Sequence, residues 1–192
     1  MMLITEILEA PNKTAVFAFG RMNPPTAGHK KIGEVIKAQI GDPYIFITHT
    51  QNEKTDPLTF AQKLTFAQKM FPMIKVGDKA VRTWVEAMKK LEQMGYTDII
   101  YVAGSDRVNQ FNELLNKYNG KEYNFNSVKV VSAGERDPDA QGLEGMSASK
   151  MRDLAARGDK RTFINAVPID PKTAEEMYNQ VRTGLKLNPV TV

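Results

Sequence analysis

The stretch Phe17-Ala18-Phe19-Gly20-Arg21-Met22-Asn23-Pro24-Pro25-Thr26-Ala27-Gly28-His29 limits what this chain can fold into more than any other part of it. Residues 15–19 are an apolar run with strand character. Arg21 and two prolines follow, and a helical pattern then opens at once, with Ile32, Val35, Ile36 and Ile40 at helix spacing. A strand that turns this tightly into a helix aims backbone N–H groups and a positive dipole end at one spot, which suits a phosphate. Arg21 adds a fork-shaped cation for phosphate oxygens. His29, in the first turn, is a compact donor that can sit against a phosphoryl group. The segment is not the glycine-rich cradle of a P-loop: no GxxxxGK[ST] occurs, and Gly20 and Gly28 are its only glycines. The plainer alternative is a strand-to-helix turn whose Gly and Pro shape the loop and whose His caps the helix.

The rest of the chain repeats the alternation. Strand-like runs cover residues 15–19, 44–48, 98–103 and 128–132. Helical patterns cover 28–40, 59–70, 79–94 and 108–118, with Phe60, Leu64, Ala67 and Phe71 on one side of the second, and Val81, Trp84, Val85, Met88 and Leu91 forming the stripe of the third and Gly95 its stop signal. Trp84 on that stripe reads as core. Alternation with helical crossovers implies an α/β fold, a Rossmann-like doubly wound parallel sheet with helices on both faces. The last quarter reads as helical: 147–157 ending at Gly158, 160–166, and 171–185 with Asp170 as N-cap and Pro171 at the first helical position. Residues 116–127 and 134–145 read as loops. Leu3, Ile4, Ile7 and Leu8 point to a short amphipathic helix docked on the domain rather than a secretory leader, since Met1 to Ala10 carry Glu6 and Glu9 and no basic residue.

At 192 residues the chain suits one domain, with a core of about 15–168 and a helical extension of about 169–192. It has no cysteine, which excludes disulfides, thiolate zinc sites and a Cys nucleophile. With only His29 and His49, a multi-histidine metal cluster is also excluded. No apolar run approaches the ~20 residues of a membrane helix. These features agree with a cytoplasmic protein. A net charge of +4 and a pI near 9.2 suit a small polyanionic ligand as well as nucleic acid, and the balance alone does not choose.

In an open parallel sheet, ligands bind beyond the carboxyl ends of the strands. The polar candidates fall there: Arg21 to His29 after the first run, Thr48 to Gln51 after the second, Gly104-Ser105-Asp106-Arg107 after the third, and Ser147 to Arg152 after the loop that follows the fourth. Gly104 lets the backbone approach a sugar, and Asp106 can accept hydrogen bonds from ribose hydroxyls or cap the next helix. Ser147, Ser149 and Arg152 put two hydroxyls and a cation at a helix N-terminus, with Ser149 and Arg152 on one face. Lys30 and Lys31 read as a solvated helix face.

Together these motifs resemble the nucleotidylyltransferase superfamily with T/HxGH and Ile-Ser-Ser-Thr-x-x-Arg signatures. Gly20-Arg21-Met22 is most similar to archaeal-type NMN adenylyltransferases, whereas Thr26 in place of the first His is more like the pantetheine-phosphate enzymes. In Met146-Ser147-Ala148-Ser149-Lys150-Met151-Arg152, Ala148 stands where Ser is commoner. In Asp56-Pro57-Leu58-Thr59, Asp56 replaces Asn and Leu58 replaces Phe of an archaeal-type loop. The resemblance implies transfer of a nucleotidyl group from an NTP to a phosphate-bearing acceptor, with ATP and NMN giving NAD the leading reaction. CTP with a phosphorylated alcohol or sugar, and ATP with phosphopantetheine, are the other members of the class. It implies catalytic roles for His29, Arg21 and Arg152, and nucleotide contacts from Gly20, Met22, Thr26, Gly28, Gly104, Asp106, Ser147 and Ser149. Acceptor contacts fall to Thr48, His49 and Gln51. Mg²⁺ is the implied cofactor, bridging the triphosphate with few protein ligands. A homo-oligomer is compatible with all of this. The competing class is a nucleotide- or nucleic-acid-binding domain without turnover; no aromatic-basic RNA motif supports it.

Overall fold

In a computed structural model, residues 12–134 and 146–187 are described, and their strands are all parallel in one sheet ordered β3-β2-β1-β4-β5. The elements run β1 Thr14–Gly20, α1 Ala27–Ala38, β2 Asp42–Ile47, α2 Phe60–Met70, β3 Lys75–Val76, α3 Trp84–Gln93, β4 Asp98–Ala103, α4 Val108–Tyr118, β5 Ser127–Ser132, α5 Ala148–Arg157, α6 Lys160–Ala166 and α7 Pro171–Gly184. A single 3-10 turn, Ser105–Arg107, leads into α4. This is the doubly wound α/β architecture. β1 lies at the centre, paired in parallel with β2 on one side and β4 on the other.

The central strand shows why both faces need helices. Successive side chains of a strand point to opposite faces. Val16 and Ala18 enter one apolar cluster, with Ile36 of α1, Phe66 of α2 and Met151, Phe163 and Met177 of the carboxyl-terminal helices. Ala15 and Phe17 enter the other, with Met88 and Leu91 of α3 and Leu115 of α4. Trp84 is part-buried against this second cluster and meets Tyr118 edge-on.

Three elements differ from expectation. α1 ends at Ala38, so Ile40, placed on its apolar stripe, lies beyond it and is 93 % exposed. β3 spans only two residues, too short to show any period. α3 begins at Trp84 rather than 79, because Thr83 and Glu86 close a capping box and the Glu86 carboxylate also takes the Arg82 N–H. Val81 is buried from the preceding loop, so its fit to the helical period was coincidental. Of the residues 116–127 read as a surface loop, the first three belong to α4 and the last to β5, and Tyr123 and Phe125 between them are buried, with the Tyr123 hydroxyl donating to Leu115 O at 2.7 Å. The expected amino-terminal helix, the 135–145 part of the long loop and the last five residues lie outside the described residues.

Candidate active site

The strand order reverses between β1 and β4, so the crevice at their carboxyl ends is where such a sheet admits a ligand. Gly20 ends β1 there, and a Cβ built on it would meet nothing within 4 Å. The backbone at this point therefore faces open space. Met22 turns away: its side chain is buried in the first core cluster, so only its backbone is left for a ligand.

The β1–α1 turn is held by Asn23, which is 2 % exposed. Its Nδ2 donates to Leu58 O at 3.0 Å and its Oδ1 accepts from Leu58 N at 2.9 Å. One amide thereby satisfies both backbone groups of a residue 35 positions away. The Asn23 carbonyl accepts from Arg152 Nη1 at 2.8 Å, while Arg152 Nη2 donates to Ser149 Oγ at 3.1 Å. The second motif is thus fastened to the first through Asn23. Ser147 caps α5, accepting from Lys150 N at 3.2 Å. A Cβ on Gly28 would lie 3.7 Å from Met146 O, in ordinary contact, so the N-termini of α1 and α5 are neighbours. Two helix N-termini side by side present two positive dipole ends to one region.

His29 sits at the third position of α1, and its Nδ1 accepts the backbone N–H of Thr26 at 3.1 Å. A backbone amide can only donate, so the neutral ring carries its proton on Nε2. The buried Thr26 hydroxyl lies 2.9 Å from the same Nδ1. Thr26 therefore fixes both the tautomer and the ring's orientation.

The charges in this region share one carboxylate. Asp56 is 3 % exposed; its Oδ2 accepts from Asn52 Nδ2 at 3.0 Å and Thr55 Oγ1 at 2.8 Å, and lies 3.8 Å from Arg21 Nη1. Its Oδ1 is buried with no hydrogen-bond partner. Arg21 itself is exposed, at 68 %, and at 3.8 Å it makes no hydrogen bond to Asp56, so its guanidinium is not fixed there. Burial lowers the pKa of Arg152, Asp56 opposes that shift and Arg21 adds to it. Asp56 acts in the same sense on Lys63 of α2, whose Nζ donates to Thr48 O at 2.7 Å and Thr50 O at 3.0 Å.

The remaining sequence-derived residues spread along the strand ends. Thr48 and Thr50 pair through their hydroxyls at 2.8 Å. His49 stacks on Phe60 with centroids 3.9 Å apart, and its buried Nε2 has no hydrogen-bond partner. Gln51 lines a cavity of about 340 Å³ with Thr59, Gln62, Gln180 and Thr183, and none of Arg21, His29 and Arg152 reaches it. Gln51 is therefore not brought together with the cationic residues. Gly104 and Asp106 form the turn after β4, where a Cβ on Gly104 would come within 2.8 Å of Asp106 Oδ1; Asp106 itself is exposed. Lys30 and Lys31 are exposed on α1.

Solved structures share this architecture. A protein assigned as a nicotinate-nucleotide adenylyltransferase from Vibrio parahaemolyticus aligns over 86 % of this chain and 98 % of its own, at 16 % identity and TM-score 0.56. The nicotinic acid mononucleotide adenylyltransferase of Plasmodium falciparum, complexed with APC, covers 92 % of this chain and 99 % of its own at 14 % identity and TM-score 0.57. Thermotoga maritima TmcAL bound with alpha-thio ATP covers 88 % of this chain and 55 % of its own at 11 % identity and TM-score 0.55. At these identities the likeness is one of fold. No family model and no curated protein sequence matches the chain.

Lys63, Asn23 and the Asp56 carboxylate are the groups to which sequence reasoning gave no role. For Lys63 a signal existed: Lys63, Phe66, Ala67 and Met70 are the buried residues of α2, spaced as one helical stripe. A lysine in phase with such a stripe is a buried charge. The apolar stripe Phe60, Leu64, Ala67 and Phe71 packs on the same core, but the most buried face of α2 is centred about one residue round from it, on Lys63.

Proposed function

We propose that this chain is a nucleotidylyltransferase that moves the adenylyl group of ATP onto the phosphate of a pyridine mononucleotide, releasing pyrophosphate. The observation that supports it best is the meeting of the α1 and α5 N-termini, with His29 and Arg152, at the reversal point of a parallel sheet. That arrangement suits a triphosphate bent across two helix ends. The names of two structural neighbours, both adenylyltransferases acting on nicotinate nucleotides, favour ATP over CTP and a pyridine nucleotide over phosphopantetheine. The Gly20-Arg21-Met22 opening favours NMN within that class.

In this reading an oxygen of the acceptor phosphate attacks the α-phosphorus. The bond from that phosphorus to the oxygen bridging it to the β-phosphate breaks, and pyrophosphate leaves with that oxygen. No covalent enzyme intermediate forms. His29 donates from Nε2 to a non-bridging α-phosphate oxygen, where negative charge develops, and Thr26 keeps that proton in place. Arg152, held by the Asn23 carbonyl and Ser149, takes the outer phosphates with the N–H groups of α5. Arg21 swings from Asp56 onto the triphosphate. Asp106 receives the ribose hydroxyls, and Thr48 and His49 border the acceptor. Catalysis is then positioning and charge stabilisation. Among the described residues no three His, Asp or Glu side chains converge to hold a metal. The phosphates themselves fit Mg²⁺, which would supply charge neutralisation while keeping most of its waters.

The test is pyrophosphate release from ATP or CTP with Mg²⁺ and a panel of phosphomonoesters: NMN, nicotinate mononucleotide, phosphopantetheine and sugar phosphates. ATP with a pyridine mononucleotide should turn over fastest. Clear preference for CTP removes the adenylyl assignment, and no release with any pair removes the enzyme.

A further inference from the structure

Lys63 is a buried charge that the transfer described above does not use. It is 0 % exposed, on the inward face of α2 with Phe66, Ala67 and Met70. An ammonium taken out of water needs compensation. The carbonyls of Thr48 and Thr50 supply two hydrogen bonds, at 2.7 and 3.0 Å, and these carbonyls belong to the segment that leaves the carboxyl end of β2. Asp56, in the turn before α2, supplies the opposite charge. Arg21 of the β1–α1 loop repels it, and Arg152 of α5 faces the same Asp56 and Arg21. His49 is the titratable group of the segment that Lys63 holds. α7 meets the Asp56 turn through Gly184, which has no side chain and packs against the Pro57 backbone. One buried lysine therefore holds the backbone of residues 48–50 by two hydrogen bonds and lies within the field of the Asp56 carboxylate, which stands 3.8 Å from Arg21 and also acts on Arg152.

We propose that Lys63 is a positioning residue that links the phosphate pocket to the 48–50 segment: a polyphosphate seated between Arg21 and Arg152 keeps Lys63 protonated, and the protonated amine holds that segment on α2. The inference rests on the reading of the pocket as a triphosphate site. Its physical basis is reciprocity, since an anion that raises the proton affinity of Lys63 is bound more tightly by the protonated form, by the same factor. Burial, the largest influence, holds Lys63 down to about 8 from an ordinary 10.5. Without ligand the amine is thus largely neutral at pH 8.5, and an arriving polyanion restores its charge with a proton from solvent.

Calorimetry of ATP binding at pH 8.5, in two buffers of different ionisation enthalpy, measures that proton directly. ATP is itself fully ionised at this pH. The wild type should take up roughly half a proton per ATP. Lys63→Arg stays charged throughout, so it should bind ATP with no uptake. Lys63→Met should also take up none, and should bind more weakly. Hydrogen exchange supplies the positional readout: ATP should protect the amides of residues 48–51 in wild type and Lys63→Arg but not in Lys63→Met. Wild-type binding without proton uptake, or full uptake by Lys63→Arg, overturns the linkage while leaving the proposed transfer standing. Absence of ATP binding overturns both. Should Lys63→Met fail to fold, the comparison of wild type with Lys63→Arg still decides.

Discussion

Two buried polar side chains stand on either side of the candidate site, and they are used in opposite ways. Asn23, in the β1–α1 turn, has both ends of its amide paired with the backbone of Leu58, and its own carbonyl holds Arg152. Asp56, in the turn before α2, is equally buried but leaves Oδ1 without a partner and stands among three cations, Arg21, Lys63 and Arg152. A neutral amide in a fully paired bracket gives geometry. A carboxylate left partly unpaired gives field, because its charge acts on groups it does not touch. The first turn is therefore the rigid part that aims His29 and Arg152, and the second is the part whose electrostatics a ligand can change.

The contrast can be broken at its rigid end first. His29→Ala should lower kcat by about 10²–10³-fold with little loss of ATP binding, because the contact is made in the transition state. Steady-state kinetics with calorimetric ATP affinities check this, and a near-normal kcat would reduce His29 to a helix cap. Asn23→Ala should come next. It orphans the N–H and C=O of buried Leu58, so unfolding in urea should show a loss of about 2–4 kcal/mol. A loss under 1 kcal/mol would mean the bracket is not what holds the two turns together.

The electrostatic end is probed by pH and by charge. Lys63 is held near 8 in the folded chain against 10.5 ordinarily, so between those values the unfolded chain binds more protons and stability rises with pH. Relative to Lys63→Arg, the wild type should gain about 2 kcal/mol between pH 7 and 9.5. A flat difference would show Lys63 to be solvated. Asp56→Asn should have the smallest effect and the opposite sense for ligand. With the carboxylate charge gone from beside Arg21, ATP affinity should increase by roughly fivefold, the consequence of about 1 kcal/mol of lost repulsion. Weaker ATP binding would instead make Asp56 a structural anchor like Asn23.

The same contrast explains what could be read from the chain. His29, Thr26 and the strand before them are contiguous, so strand, turn and helix period coincided, and a parallel sheet with helices on both faces followed from the alternation, whereas the order of its strands did not. Asn23 was in view, but its role is set by Leu58, which no local pattern connects to it. Lys63 was masked because a stripe rotated by one residue still looked amphipathic, and only the sheet decides which face is buried. β3 was invisible because two residues have no period. Met22 carried a likeness to a nucleotide-contacting motif, and its side chain is core.

The central claim is that bond-making occurs at the α-phosphorus of a nucleotide held between the α1 and α5 N-termini. ATP labelled at the α-phosphate and, separately, at the γ-phosphate tests it most directly, with Mg²⁺ and a pyridine mononucleotide as acceptor. The account predicts that α-label appears in the condensed dinucleotide and γ-label only in pyrophosphate, with both signals lost in His29→Ala. Transfer of the γ-label to the acceptor, or release of γ-label as inorganic phosphate with no dinucleotide formed, would contradict it.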